Sequence, residues 1–246
     1  MTADQWTRAV RQQLGLGRLL PLGGPGDGAW ISENAAEAVL RRAAESVRGV
    51  RLNGLRIALA DPQDTREPAV PPPPSALPPG PLRVTAEFAA SAAQPLPAAA
   101  DRLRTTLAAA ATERLGLAVT EVDLRVTALL DEAEQAGVAD ARSAAPTAAE
   151  PGPSTEPRPE PTAARSVDEL RVEAAALAVA GVVGVTGARI EERTSGTAAL
   201  PHRHVRLEVA VGPGSRALDV ALEVRVSAAQ SLPDHPTAAV LVTAVS

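Results

Sequence analysis

Apolar and polar residues follow a helix-like spacing and then a strand-like alternation twice along the chain. From about residue 32 to residue 130 the order of segments is helix, strand, strand, helix, strand, and a shorter version of this order runs from about residue 167 to residue 246. Apolar residues spaced three and four apart indicate the helices, and alternation of apolar with polar residues indicates the strands. The pattern predicts an α+β protein with two related small modules, each a small sheet packed on helices.

Individual segments of the two modules correspond in the same order. The segments VRGV and VAGVV, each containing a Gly-Val pair, close an Ala-rich helix near residues 49 and 181. The strand LRVTAEF at residues 82–88 aligns with RHVRLEV at 203–209, and the closing strand LRVTAL at 124–129 aligns with VLVTAV at 240–245. We therefore expect the chain to have arisen by doubling of one module.

Cap and turn residues bound the elements of the first module. Ser32 is placed to cap a helix that Gly49 ends, and Pro97 is placed in the first turn of a helix that Gly116 ends. Strands are expected at residues 55–60, 82–88 and 117–126. In the last of these, apolar and charged residues alternate, so we expect the first set in the core and the second facing water or a partner: Val122, Leu124 and Val126, against Glu121, Asp123 and Arg125.

The second module gives a similar prediction. Gly181 ends its first helix, whose buried positions are expected to be Val172, Ala175, Ala176 and Val179. Strands at residues 188–192 and 204–211, a helix at 216–232 and a strand at 239–245 follow. The last strand is apolar on both faces, which predicts a central strand or an edge covered by another copy or subunit.

Two segments have compositions that do not suit a core. Residues 61–81 contain runs of four and two prolines, which predict an extended loop inside the first module, acting as a stiff spacer or as a site for a proline-binding partner. Residues 131–165 consist mainly of Ala, Pro, Glu, Ser and Thr and are predicted to be a disordered linker. The predicted organisation is residues 1–27 as an amphipathic helix and Gly-rich hinge, 28–130 as the first module, 131–165 as the linker and 166–246 as the second, degenerate module.

Composition excludes several classes of function. The 246 residues contain no Cys, so disulfides, thiolate metal ligands and a Cys nucleophile are excluded. Aromatic residues make up 1% of the chain, so the core must be built from Ala, Val and Leu. A net charge of -5 argues against nucleic-acid binding, which normally requires a basic surface. No apolar run approaches the roughly 20 residues that span a bilayer, so we expect a cytoplasmic protein.

Several short motifs of the first module resemble the bacterial alkaline-shock-protein family. They are GAWISE at residues 28–33, VRGV at 47–50, LRVTAEF at 82–88, the LP pair at 96–97 and LAVTEVDLRV at 117–126. The resemblance covers about residues 28–130, and a chain without Lys suits an actinobacterial member. It implies a non-enzymatic, cytoplasmic protein, abundant under envelope stress and held at the membrane through partner proteins, with no catalytic residues. The proline-rich insertion, the second module and the low aromatic content depart from the family pattern.

Two groups of residues with potential ligand chemistry are incomplete. His202 and His204 flank Arg203 and would project from one face of a strand, but a metal site needs more ligands and His235 is remote in sequence. The Gly-rich turn at residues 23–28 lacks the Lys-Ser/Thr pair of a phosphate-binding loop and contains a Pro and an Asp. The sequence therefore predicts no metal and no cofactor.

Catalytic constellations are incomplete as well. No GxSxG elbow is present, so Ser and Thr lack a nucleophile motif. Asp219 and Glu223 lie one helical turn apart, as do Glu33 and Glu37, but such pairs on helices are usually solvated. The sequence predicts no catalytic residue.

The N-terminal segment carries the predicted interaction site. Trp6, Val10 and Leu14 fall at positions i, i+4 and i+8, with Arg8 and Arg11 nearby, which indicates an amphipathic helix. Its apolar stripe must be covered by the protein's own module, by a groove in a partner or by a membrane surface.

The predicted function is that of a non-catalytic cytoplasmic protein that acts through protein–protein interaction in envelope stress or cell-envelope homeostasis. The expected partners are a second copy of the chain or a membrane-anchored protein. One alternative is a nucleic-acid- or ribosome-associated module, which would need a clustered Arg face such as Arg41, Arg42, Arg48, Arg51 and Arg56. A small-molecule hydrolase is the third alternative, and it would need a convergent nucleophile and base.

Overall fold

The computed structural model describes residues 17–130, 166–193 and 202–246, and within these ranges it shows a mixed α+β protein with two sheets packed against four helices. The predicted linker at residues 131–165 lies outside the described residues. The helices are α1 (Glu33–Ala44), α2 (Leu96–Ala109), α3 (Val167–Leu177) and α4 (Ala217–Gln230). The strands are β1 (Leu19–Leu22), β2 (Ala29–Ser32), β3 (Val50–Leu59), β4 (Leu82–Ser91), β5 (Val119–Leu130), β6 (Val182–Arg193), β7 (His202–Val211) and β8 (Thr237–Val245).

The two sheets contain five and three strands. In the three-stranded sheet, β4 pairs antiparallel with β3 and parallel with β5. In the five-stranded sheet, β7 likewise pairs antiparallel with β6 and parallel with β8, and the hairpin of β1 and β2 is added to the other side of β8. β8 is therefore a central strand, buried from Ala238 to Val242, as its apolar residues on both faces predicted.

We call the described residues up to 130 the first half and those from 166 the second half. The last strand of each half, β5 in the first and β8 in the second, skips one residue at a corresponding place. The register of β4 with β5 shifts after Phe88, and that of β7 with β8 shifts after Val209. At each shift a threonine side chain reaches back to the neighbouring strand. Thr127 Oγ1 donates to the Phe88 carbonyl at 3.3 Å, and Thr243 Oγ1 donates to the Val209 carbonyl at 3.2 Å.

The helix ends predicted at Ser32, Pro97 and Gly116 are confirmed, whereas α1 ends at Ala44, with Glu45 as its C-cap, before the predicted end at Gly49. The Ser32 side chain accepts a hydrogen bond from the Ala35 amide at 3.2 Å and caps α1, and its hydroxyl donates to the Thr243 carbonyl, which ties the start of α1 to β8. Pro97 lies in the first turn of α2. After Ala109 the helix widens into a π-helical turn and stops at Gly116, whose φ of 86° is favourable for glycine.

One large apolar core joins the helices to the inner faces of both sheets. Phe88 and Leu103 of the first half and Val224 and Val240 of the second half belong to it, and all four are fully buried. α1 contacts β3 on one side and β2 and β8 on the other, so it lies between the two sheets. Ala and Val fill most positions, as the composition predicted.

The proline-rich loop at residues 61–81 packs on the outer face of the five-stranded sheet. Val70 lies against Leu19 and Trp30 in a second, smaller apolar cluster. The Leu77 amide donates to the Leu19 carbonyl at 2.8 Å, and Trp30 Nε1 donates to the Leu77 carbonyl at 3.4 Å. A loop that connects β3 to β4 in one sheet thus covers Trp30 in the other, leaving that side chain 1% exposed.

The prediction that Val122, Leu124 and Val126 are all core residues is wrong in part. Val122 and Leu124 are partly buried and pack against the core, but Val126 is 39% exposed. The reason is the position of β5 at the edge of its sheet, where no described strand or helix lies along its outer side. The charged residues of β5 face solvent, as expected.

Candidate functional site

The predicted interaction residues Trp6, Val10 and Leu14 lie outside the described residues. The described chain begins at Gly17, and the next residue holds this point in place. The Arg18 guanidinium donates to Glu33 Oε1 at 2.7 Å and to the Ile57 carbonyl at 2.8 Å. The chain therefore enters the described fold beside the start of α1, and the role of residues 1–16 stays a prediction.

Four apolar residues form an exposed line along α3, here called the α3 stripe: Val167, Leu170, Ala174 and Leu177. Val167 is 72% exposed, Leu170 52% and Leu177 48%, and Ala174 is exposed as well. Spacings of three, four and three residues place them on one face of the helix. Clustered large apolar side chains on a surface are typical of an interaction site.

The fold presents the α3 stripe on a firmly held helix. The opposite face of α3 packs on the core through the fully buried Val172. At the start of the helix, Ser166 Oγ accepts from the Glu169 amide at 3.1 Å and Glu169 Oε2 accepts from the Ser166 amide at 2.9 Å, which forms a capping box. The Arg203 guanidinium of β7 donates to Asp168 Oδ2 at 2.6 Å. Packing, cap and ion pair together fix which face of α3 meets solvent.

Two of the three corresponding exposed positions at α1 are charged. Each of the two helices is followed by a glycine with positive φ, Gly49 at 71° and Gly181 at 89°, whose carbonyl accepts a hydrogen bond from a neighbouring strand end at 2.8 Å. Counted back from these glycines, Leu170, Ala174 and Leu177 correspond to Ala38, Arg42 and Glu45, which are also exposed. Packing of such a helix on its sheet does not require apolar residues there, so the α3 stripe needs another explanation.

The sequence signal for the α3 stripe is a second apolar set at heptad spacing within the same eleven residues of α3. The prediction from sequence included only the set that packs inward, Val172, Ala175, Ala176 and Val179. An apolar pattern on two faces of a helix predicts a buried helix when the sequence is considered alone. The exposure of the second set became visible only in the fold.

His202 and His235 are brought together by the fold, although they are remote in sequence. Both line a cleft of about 490 Å³ between the β6–β7 and α4–β8 ends, together with Glu192 and Asp234. Among the described residues, however, no three His, Asp or Glu side chains are placed to share a metal ion. The cleft therefore supplies no argument for metal chemistry.

His204 lies apart from this cleft, inside the protein. It is fully buried, and its Nδ1 lies 2.8 Å from Thr237 Oγ1 on the neighbouring strand. Burial, together with the positive charges of Arg193 and Arg206, lowers the pKa of His204 from 6.5 to about 4. The imidazole is therefore neutral at physiological pH.

The Gly-rich turn between β1 and β2 is closed by its own residues. The Gly24 amide donates to Asp27 Oδ2 at 2.6 Å, and the Arg225 guanidinium of α4 donates to the Gly26 carbonyl at 2.7 Å. A carboxylate occupies the place where a phosphate-binding loop would offer free amides. The turn serves to connect two strands and to contact α4.

Three of the four carboxylates in the predicted acidic pairs are held by arginines. Glu33 lies 2.7 Å from Arg18, Glu37 lies 2.6 Å from Arg41 and Asp219 lies 3.0 Å from Arg216. These ion pairs lie at the surface of helices.

The arginines that a nucleic-acid-binding module would need are divided between two elements. Arg41 and Arg42 lie on α1 and Arg48 follows it, whereas Arg51 and Arg56 lie on β3. α1 packs on the inner face of the three-stranded sheet, and β3 contributes to the core through that face. The two arginines of β3 lie on the opposite face of the strand. The five residues are thus distributed over a helix, the turn that follows it and a strand.

Comparison of the chain with protein-family models, curated proteins and solved structures gives no match. The resemblance to the alkaline-shock-protein family therefore stays a prediction from sequence. None of the helices in the described part of the chain has the length and apolar character needed to cross a bilayer.

Proposed function

We propose that this chain is a non-enzymatic binding protein, built from two copies of one helix–strand–strand–helix–strand module, that binds a partner protein through the α3 stripe. Duplication is supported by the matching strand pairings, by the register shifts after Phe88 and Val209, and by the threonine hydrogen bonds at both shifts. Function is supported chiefly by one observation: of three exposed positions that are apolar on α3, two correspond to charged residues, Arg42 of α1 and its C-cap residue Glu45.

The occupant that we propose is an amphipathic helix of another protein. Alternating spacings of three and four residues form the seam through which one helix packs against a second helix. Glu169 and Glu173 lie on one side of the α3 stripe, and Arg171, which lies 3.3 Å from Asp168, is on the other. A helix with basic residues on the side that meets the two glutamates would therefore be complementary in charge. Such a surface explains why apolar side chains are kept in water in the unbound protein.

The proposal places the chain with the alkaline-shock proteins that its first module resembles. A cytoplasmic protein that works at the envelope through protein partners needs a docking surface and no catalytic site. The α3 stripe lies in the second module, which the resemblance does not cover. We therefore propose that the second module has specialised in partner binding.

The test uses two synthetic helical peptides with the same leucine stripe, one flanked by Arg and one by Glu. We expect the Arg-flanked peptide to bind the full chain in fluorescence anisotropy. Its affinity for the double variant Leu170→Ser/Leu177→Ser should be lower by about tenfold or more. Val183→Ser/Val226→Ser is the matched control, because these residues are 59% and 54% exposed but lie outside the stripe. Equal binding by all three proteins, or a preference for the Glu-flanked peptide, would contradict the proposal.

Two further outcomes identify other occupants. If the peptide binds only after Trp6→Ser/Leu14→Ser substitution, the chain's own N-terminal segment covers the α3 stripe. If Leu170→Ser/Leu177→Ser lowers the mass of the protein in sedimentation equilibrium, the occupant is a second copy. Either result overturns the proposal of a partner helix.

A further inference from the structure

The outer edge of β5, here called the β5 edge, pairs with no further strand in the described part of the chain, although Arg104 Nε of α2 donates to the Val122 carbonyl of β5 at 3.5 Å. β5 is 12 residues long and pairs only with β4. Its counterpart β8 has the same relation to β7, but its other side is covered by β2, with Ala29 opposite Val240 and Ile31 opposite Val242. Of these two corresponding strands, β8 therefore pairs with a further strand on its outer side, whereas β5 does not.

The other three sheet edges carry features that discourage pairing with another chain. β1 has only four residues and includes Pro21. The register of β3 is interrupted between Leu52 and Gly54, and that of β6 is interrupted at Gly184 and again at Gly187. Short strands, prolines and bulges protect edges in soluble proteins. The register of β5 with β4 also shifts, between Leu82 and Arg83 and again after Phe88, and between these two shifts it is regular from Glu121 to Val126.

The residues of the β5 edge are complementary to themselves. Around Leu124 the sequence reads Val122-Asp123-Leu124-Arg125-Val126, which is symmetric in apolar character and opposite in charge. In an antiparallel pair of two such strands centred on Leu124, each Asp123 lies directly opposite an Arg125, and each Val122 lies opposite a Val126. A twofold axis requires this kind of self-complementarity.

We propose that two copies of the chain associate through their β5 edges, antiparallel and centred on Leu124, to join their three-stranded sheets into one of six strands. This inference is independent of the α3 stripe, which lies on the other half of the molecule. Pairing would place the exposed Val126 and Leu129, 39% and 56% accessible, beside Val122 and Val119 of the second copy. It would also give Arg125, which lies 3.9 Å from Glu87, a closer acidic partner.

The first experiment exchanges charges across the proposed axis. In sedimentation equilibrium, we expect the wild type to dimerise reversibly and Asp123→Arg or Arg125→Asp, each alone, to weaken the dimer about tenfold or more, because like charges then face each other twice. A mixture of the two single variants should restore dimers, since every Arg then faces an Asp. The mixture is the decisive comparison, because effects within one chain, such as loss of the Arg83–Asp123 contact, are the same before and after mixing.

The second experiment measures the register of the β5–β5 pair with single cysteine substitutions. The chain contains no Cys of its own, so any disulfide must join the introduced residues. Across an axis at Leu124, the two Leu124→Cys residues would lie about 5 Å apart, within disulfide range, whereas two Glu121→Cys residues would lie about 20 Å apart. We expect oxidation to cross-link the first variant and not the second. A wild type that stays monomeric, equal cross-linking of both variants, or failure of the mixed charge variants to associate would overturn the proposal.

Discussion

The two halves of this molecule use the same order and pairing of elements but differ in what lies around them. In the first half, α1 is enclosed between two sheets, and two of the three exposed positions that correspond to the α3 stripe are charged. In the second half, α3 contacts β6 and α4 and leaves an apolar stripe in solvent. The difference shows that the same pattern of strand pairing is compatible with either apolar or charged residues on the outer surface of the helix.

The third strands differ in the opposite sense. β8 is enclosed between β7 and β2, whereas β5 lies at the edge of its sheet. An unfilled edge and an uncovered helix face thus occur in different halves. The first half has the β5 edge, whereas the equivalent edge of β8 is paired with β2. The second half has the α3 stripe, whereas two of the equivalent positions at α1 are charged.

The connection between the first two strands is the third difference. In the first half it is the proline-rich loop, in which Pro73 and Pro79 are buried, and in the second half it spans residues 194–201, outside the described residues. The loop packs on the sheet of the other half through Val70 and Leu77. The long insertion therefore helps to hold the two halves together.

The largest expected effect comes from removing the side chain that this loop covers. We expect Trp30→Ala to lower the free energy of unfolding by about 3–5 kcal/mol, because a fully buried aromatic ring is lost and the loop loses its packing surface. Val183→Ala, at a position that is 59% exposed, should change it by less than about 0.5 kcal/mol. Urea unfolding measures both. A Trp30 effect as small as that of the control would mean that the loop does not seal the sheet.

A second effect concerns positions on β4 and β7 that correspond in the aligned strands, Arg83 and His204. Arg83 pairs with Glu121 at 2.6 Å at the surface, whereas His204 is buried against Thr237. The pKa of His204 in the fold, about 4, lies below the value of 6.5 expected for the unfolded chain, so the unfolded chain binds the proton first. Acidification from pH 6.5 towards pH 4 should therefore destabilise the fold by up to about 1.4 kcal/mol per pH unit, with no such effect above pH 6.5.

The measurement is urea unfolding of the wild type and of His204→Asn at pH 7, 6 and 5. We expect the variant to be less stable at pH 7 and the difference to shrink as the pH falls, because Asn cannot take up the proton. His202→Asn, in the open cleft, is the control and should keep the pH dependence of the wild type. The same pH dependence in wild type and His204→Asn would contradict the assignment of a neutral buried imidazole.

The smallest effect tests the correspondence of the two register shifts. Thr127→Val and Thr243→Val each remove one side-chain hydrogen bond to the neighbouring strand while keeping the shape of the side chain. We expect losses of about 0.5–1.5 kcal/mol in each case, with the larger loss at Thr243, which is less exposed. Thermal or urea unfolding of the pair can resolve this. A marked loss at one site and none at the other would argue against equivalent roles.

Local signals in the sequence were sufficient for the helices. Ser32, Pro97 and Gly116 mark helix ends because caps, proline and glycine act within one turn of the chain, whereas the predicted ends at Gly49 and Gly181 lie beyond the last helical residues, Ala44 and Leu177. The buried faces of α2 and α4 also follow from spacing, since Leu103 and Leu107 in α2, Leu115 in the π-helical turn after it, and Ala221, Val224 and Ala228 in α4 are buried. The candidate surfaces were less predictable, because an apolar residue in a sequence does not state whether a neighbour covers it.

The sequence by itself thus determined the order of elements after residue 32, several of their ends and the burial of β8 on both faces. Only the tertiary structure decided that β2 joins the sheet of the other half, with Ala29 opposite Val240, and that the proline-rich loop covers Trp30. It also decided that β5 is left at an edge and that the second apolar face of α3 is left in water. Periodicity reports which side of an element is apolar over a few residues, whereas the partner that buries that side is chosen by contacts between residues far apart in the chain.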